Sequence, residues 1–407
     1  MATLRPFRAL RPRPADAARI AAVPYDVVNS DEARALAAGN PLSFLHVSRA
    51  EIDLPPGTDP HADGVYDRAR QNFETLRTST LVREDTPSLY LYRLRMGTHE
   101  QVGIAACFAL DEYDRDVIKK HERTRRDKED DRTRHLIALG AQTGPVFLIY
   151  RARTEIDQVA TAASAADPII DFDAPDGVRH TLWRLKDVER DALVDMMKRV
   201  PALYIADGHH RAASAARARQ EVQARPPDRS GDAAGAESFL AVAFPDDQVQ
   251  ILAYNRVVKD LGGLSAAEFL DAVRTRFDVA IGSATPKRKG EIAMFVDGVW
   301  YSLTLRRPAQ RPSSGSLDVT VLHDELLVPV LKIGDIRTDP RVDFVGGGRG
   351  AAELERLVRT GRAAVAFSMY PVSVDDLMRV SDAGAIMPPK STWFEPKLRD
   401  GLLIHVI

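Results

Sequence analysis

The chain has 407 residues, 44% hydrophobic and 28% charged, which excludes wholesale disorder and leaves room for two or three packing units. Its 56 Lys+Arg against 58 Asp+Glu give a net charge of -2, so no global basic field points to nucleic acid or an anionic membrane. A single cysteine, Cys107, excludes disulfide frameworks and multi-cysteine zinc sites, and within the apolar run 103–108 it reads as a buried small hydrophobe. No stretch approaches the ~20 apolar residues of a membrane span, and no apolar run follows the basic residues of the N-terminus. A cytoplasmic protein without a membrane partner is expected.

In chain order, a Pro/Gly-rich connection at 54–60 leads into a helical pattern over 65–76. Strands follow at 88–96 and 103–110, paired as a hairpin, and then a charged helix over 119–139. The runs 145–151, 202–206 and 239–244 read as buried strands, with a helix over 211–223 and a surface connection at 225–232. Beyond them come a helix at 265–276 and strands at 292–296 and 299–305, turned by Asp297-Gly298. A connection at 306–316 and helices at 317–331, 351–360 and 374–381 complete the pattern. The elements alternate without a regular βαβ beat, which predicts an α/β, mixed-sheet α+β fold. We expect a larger unit over 1–258 and a smaller α+β unit over 259–407, the last strand (402–406) rejoining the main sheet.

The sharpest chemical signal is Ala206-Asp207-Gly208-His209-His210-Arg211. A short apolar strand ends in Asp-Gly and an Ala-rich helix begins at once, so first-turn amides and the positive end of the helix dipole face the bend. His209, His210 and Arg211 add donors suited to phosphate oxygens, and three basic groups at a positive helix end disfavour one another unless an anion joins them. Asp207 reads as the N-cap, a metal ligand or a base.

A second signal is the segment 119–135, where eight Lys/Arg meet five Asp/Glu. Asp127 to Arg134 suit a solvated face of i,i+4 pairs, while Lys119, Lys120, His121 and Glu122 follow Val117-Ile118 at a strand-to-helix junction where side chains converge. Near the C-terminus, two adjacent prolines in Met387-Pro388-Pro389-Lys390-Ser391-Thr392-Trp393-Phe394 hold Lys390 on a rigid extended backbone. Gly346-Gly347-Gly348-Arg349-Gly350 forms a Gly-rich turn that lacks the Lys-Ser/Thr of a P-loop.

Together, Lys119-Lys120-His121-Glu122-Arg123-Thr124, the Asp207-to-Arg211 turn and the 387–394 segment resemble the signatures of a prokaryotic family of unknown function, over nearly the whole chain. More remotely, the strand, Gly-x-His-Arg turn and helix are similar to the phosphate-binding element of the ParB and sulfiredoxin superfamily, which includes nucleotide-dependent free-serine kinases. That resemblance implies a ParB/sulfiredoxin-like core in which Gly208, His210 and Arg211 grip nucleotide phosphates and Glu122 is the base. No helix-turn-helix segment follows the turn and no cysteine stands beside it, which disfavours DNA binding and sulfiredoxin activity.

The resulting expectation is a phosphotransferase that moves a phosphoryl group from ATP, ADP, another nucleotide or pyrophosphate to a small hydroxylated metabolite, with free L-serine the best single choice. Glu122, Asp207, His209 and Lys119 would act in catalysis. Gly208, His210, Arg211, Lys120 and Lys390 would hold the donor, and Asp207 would hold Mg²⁺. The partners are the small-molecule substrate and the phosphate donor, with a homo-oligomer left open. A phosphoester hydrolase using the same pocket and a non-catalytic ParB-like nucleotide-binding regulator are the alternatives.

Overall fold

The computed structural model describes residues 2–224, 235–306, 317–336 and 338–407. The connection expected at 225–232 and most of that at 306–316 lie outside the described residues. By its internal contacts the chain forms two units, Met1–Lys120 with Thr124–Val249 and Pro396–Ile407, and Gln250–Glu395 with His121–Arg123. The division falls at Val249/Gln250 rather than 258/259, because Tyr254–Val258 is an inner strand of the second unit's sheet.

The first unit is built on a mixed sheet. Its strands are Leu4–Arg5 (β1), Tyr90–Met96 (β2), His99–Ala109 (β3), Ile118–Lys119 (β4), Val146–Tyr150 (β5), Ile170–Asp173 (β6), Val178–Arg184 (β7), Leu203–Asp207 (β8) and Ser238–Pro245 (β9). They lie in the order β4-β8-β5-β9-β3-β2-β7-β6, with β1 on β3. β8 is parallel to β4 and β9 to β5, and the other pairings are antiparallel. The expected hairpin is present: β2 and β3 pair from Met96↔His99 to Tyr90↔Ala105, with Gly97 at φ +59° in the turn. Cys107 is 1% exposed in the middle of β3, and burial pushes its thiol pKa far up, so it is the inert hydrophobe expected.

Three helices matter for the site: Asp63–Ser79 (α1), Arg126–Leu139 (α2) and His209–Gln223 (α3). Ala212, Ala215, Ala216 and Ala218 of α3 join a core with Leu148, Ile205 and Phe239 of the sheet. Such small side chains let a helix lie close on a sheet. α2 starts at Arg126, not at residue 119, because Ile118–Lys119 is used as a strand against β8. Its polar side chains are not all solvated either: Asp131, Thr133 and His135 are buried. A second core gathers Phe44, Phe73, Leu76, Leu139 and Ile404. The last strand, His405–Val406, pairs with Ala141–Gln142 in a small sheet of its own instead of rejoining the main one.

The second unit has an antiparallel sheet of Tyr254–Val258 (β10), Phe277–Ile281 (β11), Glu291–Val296 (β12), Val299–Leu305 (β13), Val342–Gly346 (β14) and Val365–Ser368 (β15), ordered β11-β13-β12-β15-β10-β14. Its Gly-rich turn is explained by packing. A Cβ on Gly346 would stand 2.8 Å from the Trp393 ring, and one on Gly347 would stand 2.5 Å from Ala253 O. The glycines allow this approach, with no ligand needed to account for them.

Candidate functional site

β8 delivers its last residue, Asp207, to the edge of the buried sheet, and the chain must then reverse into α3. It does so through Gly208 at φ +93°, in the left-handed region where an L side chain is strained. A Cβ there would also stand 3.3 Å from Val146 Cα, so this position needs glycine on two grounds. Gly208 is the N-cap of α3, and no side chain caps that helix. Asp207 therefore does not cap it. Its Oδ1 accepts the Gly208 N–H at 2.9 Å and its Oδ2 accepts Lys397 Nζ at 3.0 Å. Burial would raise the Asp207 pKa, but Lys397 first and Arg211 next hold it well below the carboxylate range.

The two histidines of the motif have different surroundings. His209 is turned inward and 5% exposed. His210 is half-buried, and its Nε2 accepts the Arg125 N–H at 3.1 Å, which leaves a ring proton for Nδ1. The Arg211 guanidinium folds back under the turn, with Nη1 donating to Pro145 O at 2.6 Å. Its Nε has no hydrogen-bond partner among the described residues. Burial lowers the Arg211 pKa, and Asp26, Asp207 and Asp400 more than offset that.

The structure brings Asp207, Gly208, His209, His210 and Arg211 together at one helix head. Lys119 lies on the neighbouring strand, opposite Tyr204. Lys120 is engaged elsewhere in this unit. Its Nζ donates to Tyr113 O at 3.0 Å, pairs with Asp116 at 2.8 Å and stands 4.2 Å from the Tyr113 ring centre. Glu122 and Lys390 group with the second unit. There Lys390 has φ +57°, its carbonyl accepts Arg256 Nη2 at 3.0 Å, and its Nζ lies 5.6 Å from the Tyr254 ring centre.

The sequence reading missed the segment Pro396–Ile407, which gives Lys397 to Asp207 and Asp400 to the space beside Arg211. Arg399 anchors it from within the first unit by donating from Nε to His180 Nε2 at 3.2 Å and by pairing with Asp176. His180 in turn meets the Tyr92 hydroxyl at 2.9 Å. The one available signal was Lys397-Leu398-Arg399-Asp400, a charged run in a chain with only eleven lysines. Arg132 and His135, on the buried side of α2, were hidden within a run read as mainly solvated.

Chemically, the head of α3 offers first-turn amides, a histidine, an arginine and a lysine around one carboxylate, a setting that suits an anion with several oxygens. For a divalent cation the fit at Asp207 is poor, since both oxygens are engaged and one faces the Lys397 ammonium.

The family model described as Protein of unknown function (DUF1015) matches residues 4–320. Comparison with the curated proteins gives no match. Among solved structures, a free serine kinase in complex with AMP is similar at 13% identity and a TM-score of 0.37, covering 72% of this chain and 86% of that one. A conserved hypothetical protein from Pyrococcus furiosus is similar at 14% identity and a TM-score of 0.35, covering 74% and 94%. SbnI with C-terminal truncation from Staphylococcus aureus is similar at 11% identity and a TM-score of 0.37, covering 73% and 85%. At these scores no residue role passes from those proteins to this chain.

Proposed function

The chain belongs to the DUF1015 family, and we propose that it is a phosphotransferase whose donor phosphates rest on the head of α3, within a ParB/sulfiredoxin-like core. The observation that supports this most is the Asp207–Lys397 pair beside His210 and Arg211 at an uncapped helix N-terminus. The donor is ATP, ADP, another nucleotide or pyrophosphate, and the acceptor is a small hydroxylated metabolite, with free L-serine the first to try.

Phosphoryl transfer needs placement and charge neutralisation more than covalent help. The first-turn amides of α3, His209 and His210 with its Nδ1 proton hold phosphate oxygens. Lys119 and Lys397 are the lysines assigned to charge on the moving group, and Arg211 contributes its charge from beneath the turn. Asp207 holds Lys397 in place. Residues 121–123 run in the chain between Lys119, beside Tyr204, and Arg125, whose amide meets His210. Three extended residues span roughly 10 Å, which makes Glu122 the proton acceptor of choice. The acceptor oxygen forms its bond to phosphorus as the donor's P–O bond breaks, and the hydroxyl proton passes to Glu122. A donor-borne Mg²⁺ would be held by phosphate oxygens and would add charge neutralisation there, and no step here depends on Asp207 binding it.

The experiment is a thermal-shift series on the full chain against ATP, ADP, CTP, pyrophosphate and phosphoserine, each with Mg²⁺. A donor at 100 times its Kd stabilises the fold by about 2.7 kcal/mol. Stabilisation by at least one of them, lost in Lys397→Met, supports the reading. No shift with any of them contradicts it.

A further inference from the structure

Beneath the turn, wholly within the first unit, lies a cavity of about 520 Å³ of empty space, open solvent included. Arg132 of α2, Arg211 of α3, Asp400 and Ser48 line it, and Leu136, Val146 and Phe239 form an apolar wall. Three buried polar atoms on residues of that lining have no hydrogen-bond partner among the described residues: Asp400 Oδ1, Arg211 Nε and Ser48 Oγ. Folded proteins satisfy nearly all such atoms, so three at one cavity mark a place where water or a polar ligand is expected. Asp400 itself is 4% exposed, and Gly144 leaves room for its carboxylate, since a Cβ there would run into Oδ1.

We infer that this cavity is a binding site for a short-chain monocarboxylate, its carboxylate set between the Arg211 and Arg132 guanidiniums beside Asp400 and its short chain against the apolar wall. One observation chooses an anion over a cation. Two guanidiniums line the space, each fixed at one end. Arg132 Nε pairs with Asp131 at 2.7 Å while its guanidinium lies 4.1 Å from the Tyr25 ring centre, and Arg211 Nη1 is on Pro145 O. His135, also on the lining, adds no charge, because burial first and Arg132 second push its pKa down to about 4. The apolar wall favours an organic acid over a bare inorganic ion.

Asp400 couples this binding to protons. The charged groups acting on it are Arg211, Asp26, Arg132 and its neighbour Arg399, with Tyr25 and His135 also on the lining. Burial, helped by Asp26 and opposed by the three arginines, pushes the Asp400 pKa up to about 7. Ionised, it repels a carboxylate; protonated, it donates a hydrogen bond to one. Affinity is therefore highest below pH ~7 and falls about tenfold per unit above it. None of this requires phosphoryl transfer, so the inference stands or falls apart from the function proposed above.

The test is isothermal calorimetry on the full chain with propionate, inorganic phosphate and propylamine, from about pH 6 to about pH 8. Expected are propionate binding at the acid end, net proton uptake near pH 7 read from two buffers of different ionisation enthalpy, and a Kd that rises about tenfold across the last unit. Asp400→Asn should bind propionate with a flat pH profile, and Arg211→Met should lose binding at least tenfold. The inference is overturned by the absence of propionate binding at the acid end, by a preference for phosphate or propylamine, or by binding without proton uptake. The uptake is read on the unsubstituted protein, so it decides the matter even where a variant fails to fold.

Discussion

Lys397 Nζ lies 3.0 Å from Asp207 Oδ2, joining residues 190 apart in sequence at the head of α3. The Lys397 side chain is 12% exposed and that of Asp207 27%, so the pair sits largely out of water. Removing one partner leaves the other charge buried and uncompensated, at a cost of about 3–5 kcal/mol in comparable pairs. Asp207→Asn and Lys397→Met should each lower stability to unfolding by urea on that order. Their double variant should lose clearly less than the sum of the two. Additive losses would show that the two side chains do not interact.

The same pair sets an acid limit. The Asp207 pKa is depressed in the folded chain, so its contribution is fully present above the ordinary aspartate value of 3.8 and is lost as pH falls through the lower folded value. Asp207→Asn should narrow the stability gap between pH 5 and pH 2 relative to the unsubstituted chain, measured by thermal melts.

Asp400 behaves in the opposite sense. Its folded pKa of about 7 lies above the ordinary aspartate value of 3.8, so its contribution is greatest below 3.8 and is lost as pH rises through about 7. Asp400→Asn should gain on the unsubstituted chain by on the order of 2–4 kcal/mol between about pH 4 and pH 8. A constant difference across that range would mean that Asp400 titrates normally.

Gly208→Ala places a Cβ at φ +93° and 3.3 Å from Val146 Cα. The left-handed conformation alone costs roughly 1–2 kcal/mol. The expected loss exceeds that, because the opposing atom is backbone. Gly97→Ala is the control, also at positive φ but with nothing within 4 Å of its Cβ, and it should lose only the conformational share.

The turn from Leu203 to Arg211 was legible because everything that makes it is local. An apolar run gives a buried strand, glycine gives the reversal, and small residues give a helix that can pack close. Cys107 was legible for the same reason, since its neighbours in β3 are all apolar. What sequence did not disclose arrives through distant pairing. Val117-Ile118 was legible as the strand side of a junction, but Lys119 carries no local mark of pairing with β8, so it was read as the start of a helix. Lys397 and Asp400 are held at the head of α3 by distant contacts: Arg399 is pinned by His180 and Asp176, more than 200 residues away, and the Asp400 backbone pairs with Ala22. The Gly-rich turn after Val345 was left open for another reason: glycines that suit a phosphate cradle also suit close packing on Trp393 and Ala253.

The most direct test of the central claim is phosphorus NMR of the full chain with a phosphate donor, Mg²⁺ and L-serine or another small hydroxylated acceptor, run beside Lys397→Met and Glu122→Gln. The account predicts a new phosphomonoester resonance that grows as the donor is consumed, depends on the acceptor, and is nearly absent in both variants. Donor consumption that yields only inorganic phosphate, or a new resonance that both variants form at the unsubstituted rate, would contradict it.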